Sequence, residues 1–108
     1  MSANPHEGTP TVERGASLAD ADAALILLHG RGAPAASMAP LADALLHGLD
    51  GAATVAVRIP QAAGGAWYPQ RFVAPRAANQ PWLDGALARV AALLDEAEAA
   101  GIAPERTV

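Results

Sequence analysis

The chain has 108 residues, 11 acidic and 7 basic, for a net charge of −4. All of the basic residues are arginines scattered without a stripe, which argues against a nucleic-acid surface. No apolar run approaches a membrane span, the longest being residues 23–28, and the absence of cysteine excludes disulfides and thiolate metal sites.

Hydrophobic residues make up 52% of the chain, which suits one small globular domain. Much of that fraction is alanine. Trp67, Tyr68, Phe72 and Trp82 are the only aromatics, so the core has few large anchors. Residues 1–10 are polar and rich in Pro and Gly, and read as a flexible lead-in to a domain over 11–108. They carry neither a basic segment nor an apolar one, so no secretory signal is expected and the cytoplasm is the default location.

Thr11 and Val12 suggest a short strand ending at Gly15. The run ALILL at 24–28 is continuously apolar and ends in His29 and Gly30, as expected for a strand buried on both faces of a parallel sheet. After a Gly- and Pro-containing loop, Ser37 is the expected N-cap of a helix with Pro40 in its first turn. Leu41, Ala44, Leu45 and Leu49 mark its apolar face, and Gly48 and Gly51 its end. A second buried strand is expected at 53–57, closed by Arg58, Ile59 and Pro60. The connection 61–80 is long for a compact domain, which points to function or disorder.

The last helix has Asn79 as its expected N-cap, with Leu83, Leu87, Val90 and Leu94 as an apolar stripe. Gly101 suits the left-handed position after the helix, Ile102 the accompanying apolar contact, and residues 106–108 open another strand. Strand, helix, strand, helix, strand is the order of a parallel α/β sheet. Two full strands would leave an open edge, so the chain reads as incomplete.

Chemistry is expected at LLHGRGA, residues 27–33, because ligands of open α/β sheets bind beyond the carboxyl ends of strands. Gly30 and Gly32 let the backbone turn sharply, and the Arg31 N–H can then serve as an oxyanion donor. A plain Gly-rich connection is the competing reading. A dinucleotide fingerprint, Gly30-x-Gly32-x-x-Ala35 with Arg58 on a 2′-phosphate, also fits formally. Pro34 and Pro40 delay the helix, and no acidic ribose ligand follows the second strand, which counts against it. His29 is expected to order the loop rather than act as a base. His6 and His47 carry no signal, and no metal-ligand spacing exists. Asp95, Glu96 and Glu98 read as a solvated face. Trp67, Tyr68 and Phe72 either wall an apolar pocket or pin their loop by packing.

The runs LILLHGRGA, RIPQAAGGAWYPQRF, NQPWLDGALARVAALL and AAGIAPERTV resemble, in order, the phospholipase/carboxylesterase family of α/β-hydrolases from about Val12 onward. The resemblance implies the N-terminal part of a mostly parallel α/β-hydrolase sheet, truncated before the strand that leads to the nucleophile elbow. It implies a Ser-Asp-His hydrolase of carboxylic or thio-esters, acting without cofactor on a small-molecule ester. Arg31 would donate its main-chain N–H, with the Arg31 side chain of little consequence, and Gly30, Gly32, Trp67 and Tyr68 would line the substrate site. No Ser, Asp or His here has the context of a triad member, Ser2, Ser17 and Ser37 included. The chain alone is therefore expected to be inactive. The alternative is a non-catalytic half-sheet module that binds a partner.

Overall fold

In a computed structural model, the residues described are 4–48, 54–71 and 73–108. Five regular elements occur in them: β1 (Thr11–Gly15), β2 (Ala23–Ile26), α1 (Ala39–Gly48), β3 (Val55–Pro60) and α2 (Trp82–Ala99). Leu49, Gly51 and Ala53 lie outside the described residues, as does Phe72.

The sheet is mixed rather than mostly parallel. Its order is β1-β3-β2, with β3 antiparallel to β1 and parallel to β2. The chain leaves along β1, crosses to the far side of β3 through residues 16–22, and enters β2 there. Ala16 N–H donates to the Val55 carbonyl and Ala23 N–H to the Thr54 carbonyl. β1 stands where the sequence places it, but a five-residue pattern does not encode strand direction, and its antiparallel pairing is what makes the sheet mixed.

β3 is the central strand and the most deeply buried; it includes Arg58, Ile59 and Pro60 rather than stopping before them. β2 stops at Ile26, and Leu28 is exposed, so the apolar run is buried less completely than its composition suggests. β1 is an edge strand protected by charge. Its Glu13 lies opposite Arg58 in the register, and their side chains pair at 3.0 Å. At the other edge Thr107 forms a parallel bridge with Ala24, Val108 N–H donates to the Ala24 carbonyl, and Ile26 N–H to the Val108 carbonyl.

Both helices bury a different face from the one their leucines suggest. In α1 the buried residues are Ala39 and Ala42, with Leu46 packed beside them, while Leu41 is 47% exposed. In α2 the buried residues are Gly85, Leu93 and Ala97, while Leu87 is 59% exposed and Leu94 also faces solvent. The reason is close approach. A Cβ on Gly85 would strike the Asn4 side chain, and Ala97 packs into one cluster with Ala24 and Ile102. Arg89, on the same face, sends its guanidinium to the Thr9 carbonyl (2.8 Å) and the Thr11 hydroxyl (2.6 Å). The contact face thus combines small residues with Leu93 and one long cation, a pattern that counting large apolar side chains largely passes over.

The helix starts also differ. Residues Ala35–Met38 form a 3₁₀ turn ahead of α1, and Ser37 Oγ donates back to the Pro34 carbonyl instead of capping. The first N–H of that turn, on Ala35, is satisfied by Gln61 Oε1 at 2.7 Å. Asn79 is likewise not the cap of α2, whose N-cap position is Pro81, and the Asp84 N–H donates to Gln80 Oε1. The end of α2 follows expectation. Gly101 has φ +99°, its N–H donates to the Glu98 carbonyl, and Ile102 N–H donates to the Ala97 carbonyl. These two bonds make a Schellman motif, with Ile102 buried against Ala97.

Candidate functional site

The parallel strands β2 and β3 end on the same edge of the sheet, and their following segments meet there. β2 runs into a turn over residues 30–33, closed by the Ala33 N–H on the Gly30 carbonyl at 3.2 Å. Gly32 has φ +77°, whereas Arg31 keeps a negative φ; that is the pattern of a type II turn, whose third position requires glycine-like freedom. The Gly32 N–H is taken by the Gly65 carbonyl at 2.8 Å, which docks the turn onto the segment after β3. Among the described residues, the Arg31 N–H has no hydrogen-bond acceptor.

A recess of about 170 Å³ opens beside this turn, lined by His29, Gly30, Arg31, Trp67 and Tyr68. The residues that sequence reasoning selected are therefore brought together: Gly30, Arg31, Trp67 and Tyr68 share one wall, and Gly32 closes the turn behind them. Tyr68 also borders a recess of about 280 Å³ with Arg31, Arg71 and Val73. Tyr68 further lines a recess of about 260 Å³ with Ala74, Arg76, Asn79 and Leu83. The two roles left open above coincide in Trp67, which packs between imidazoles, 5.0 Å from His6 and 5.3 Å from His29, and also lines the recess with Tyr68.

Beneath the turn lies a polar network that the sequence only half announces. His29 is 2% exposed; its Nδ1 meets the Gly30 carbonyl at 2.8 Å, and its Nε2 receives the Ala62 N–H at 2.9 Å. Both ring nitrogens are thus held by main-chain groups of the turn and of the segment after β3. His6 is the surprise. Far from being an idle lead-in residue, it is 0% exposed, with Nε2 at 2.8 Å from the Trp67 carbonyl and Nδ1 receiving the Ala63 N–H at 3.1 Å. Trp67 Nε1 in turn donates to the His29 carbonyl at 3.1 Å. These bonds close a circuit through His29, Ala62, Ala63, His6 and Trp67. No local pattern could reveal it, because His6 and Trp67 are 61 positions apart.

The Arg31 side chain is not idle either. Its guanidinium donates to the carbonyls of Tyr68 (3.0 Å), Pro69 (3.1 Å) and Gln70 (2.9 Å), and sits 5.5 Å from the Tyr68 ring centroid. Charge-assisted bonds to three successive carbonyls tie the loop to the turn. Asn79, buried, holds the same loop from the far side, accepting from the Gln70 N–H at 2.6 Å. Arg31→Ala should therefore free the segment around residue 70, and trypsin cleavage after Arg71 should become several-fold faster. Unchanged cleavage would mean that Asn79 alone holds the loop.

Other candidates are spoken for. Arg58 Nη1 donates to the Val57 carbonyl as its other end pairs with Glu13, and α1 begins only at Ala39, after a 3₁₀ turn, so the glycine turn is not followed directly by an α-helix as a dinucleotide site requires. Ser17 donates to Asp20 on an exposed turn, and Ser2 lies outside the described residues. His47 and the acidic residues Asp95, Glu96 and Glu98 are exposed. Among the described residues, no group of three His, Cys, Asp or Glu could hold a metal ion, and no helix is long and apolar enough to cross a membrane.

The chain is similar to a solved structure described as a phospholipase/carboxylesterase from Dyadobacter fermentans DSM 18053, with 39% identity and a TM-score of 0.82. The match covers 93% of this chain and 46% of that one, so the chain spans about half the length of that protein. No protein-family model and no curated protein matches the chain.

Proposed function

We propose that this chain, related over nearly all its length to a phospholipase/carboxylesterase, supplies the oxyanion turn and part of the substrate wall of a serine hydrolase of carboxylic or thio-esters. The observation that carries this reading is the Arg31 N–H, which has no acceptor among the described residues, at the carboxyl end of β2 beside a recess. Acyl transfer puts negative charge on the former carbonyl oxygen, and one preorganised main-chain donor is worth roughly 3 kcal/mol of transition-state stabilisation there. Trp67 and Tyr68 provide the apolar wall against which an acyl or leaving group would lie.

Among the described residues, no serine is placed to attack: the Ser37 hydroxyl is spent on the Pro34 carbonyl and Ser17 on Asp20. On this reading a nucleophile, base and acid would have to come from outside the described residues. Direction favours such a completion. Residues 107 and 108 run parallel to β2, so a nucleophile elbow built beyond Val108 would emerge on the edge that holds the Arg31 turn.

The test is to join the chain at Val108 to the remaining sheet and elbow of the Dyadobacter relative and to assay p-nitrophenyl esters of graded chain length. Turnover is expected in the joined protein and none above background in the 108-residue chain, because acyl transfer needs an activated nucleophile. A folded joined protein inert toward every ester would sink the proposal and favour the partner-binding module.

A further inference from the structure

We infer that His29 is the positioning residue for the Arg31 N–H, acting across the Gly30–Arg31 peptide plane; this rests on the reading of that N–H as an oxyanion donor. The tautomer comes first. The Ala62 N–H can only donate, so Nε2 of His29 must present a lone pair. The Gly30 carbonyl can only accept, so Nδ1 must carry the proton. One form satisfies both, the neutral imidazole protonated on Nδ1. His6 is fixed in the opposite sense by the same logic, since Ala63 N–H requires an acceptor at Nδ1 and the Trp67 carbonyl requires a donor at Nε2.

The peptide plane comes next. The Gly30–Arg31 bond is trans, so its C=O and N–H point in opposite directions within one rigid plane. Holding the carbonyl oxygen therefore aims the N–H. Gly30 O receives two donors, the Ala33 N–H at 3.2 Å from within the turn and His29 Nδ1 at 2.8 Å from the core. A turn with two glycines is soft by itself. The shorter bond, from a ring buried to 2% exposure, ties it to the rigid exit of β3 through fully buried Ala62. With the carbonyl drawn toward His29, the N–H is directed away from that bond and stays free for a ligand.

The test needs no catalysis. Long-range ¹H–¹⁵N spectra of the chain report which imidazole nitrogen is protonated, and ¹⁵N relaxation reports the order of the Arg31 N–H. The expected result is a protonated Nδ1 on His29, with an Arg31 order parameter near that of rigid backbone, about 0.85. In His29→Asn the side-chain amide nitrogen stands where Nδ1 stood and keeps the donor to Gly30 O, so that order should persist. In His29→Gln the side-chain oxygen takes the place of Nε2 and no side-chain donor reaches the Gly30 carbonyl, which keeps only the Ala33 N–H, so the Arg31 order parameter should fall below about 0.6 while β3 amides hold. A proton on Nε2 of His29 in the unmodified chain overturns the inference whether or not the variants fold. Equal order at Arg31 in the Gln and Asn variants overturns it as well. If these results hold while the joined hydrolase proves indifferent to the Arg31 N–H, positioning stands and the oxyanion reading falls.

Discussion

Arg31→Pro in the joined hydrolase is expected to lower kcat by on the order of 10² to 10³ relative to Arg31→Ala, with the fold retained. Proline is the one residue without a main-chain N–H, so the comparison deletes the proposed donor. Position supports the choice. Arg31 is the second residue of its turn and has a negative φ, and that place in a type II turn is one proline prefers. Alanine is the proper reference, because both variants lose the guanidinium that holds the Tyr68, Pro69 and Gln70 carbonyls. The alanine variant should itself differ from the unmodified protein mainly in KM, since a loosened Tyr68 wall weakens binding of substrate and transition state alike. This revises the expectation, drawn from the sequence, that the Arg31 side chain matters little. Equal kcat for the two variants, with circular dichroism unchanged, would show that the N–H does no chemistry.

What could be read from the sequence follows from how local each feature is. The parallel pairing of β2 with β3 was legible because apolar runs joined by a helix leave few other arrangements. The end of α2 was legible because Gly101 and Ile102 act within a few residues of one another. The helix faces were not, since Ala42, Gly85 and Ala97 are chosen by how closely a helix must approach its neighbour, a property of the partner surface. β1 was placed but its direction was not, because register with β3 depends on a crossing that residues 16–22 do not spell out. At the site, the sharp turn was legible from two glycines after a strand. The guanidinium clamp and the His6 anchor were not, as their partners lie 37 to 39 and 57 to 61 positions away.

That long-range anchor leads to the second large effect, on stability. His29→Ala should cost about 3 kcal/mol or more, because it leaves a ring-sized void and strips the fully buried Ala62 N–H of its acceptor. For a domain of this size, that corresponds to a fall in melting temperature of roughly 12 °C or more. His6→Ala should be of similar size, although His6 comes from a segment that composition marks as a loose lead-in, because the same two losses occur at the Ala63 N–H. The two costs should not add. Both rings pack on Trp67 and are held by the neighbouring N–H groups of Ala62 and Ala63, so loss of one His lets Trp67 and the β3 exit relax away from the other. The double variant is therefore expected to lose about 1 kcal/mol less than the two single losses combined. Denaturant unfolding of the four proteins of the cycle measures this directly. Losses that add within about 0.5 kcal/mol would mean that the two imidazoles are independent fillers, and that the lead-in braces the domain without bracing the Arg31 turn.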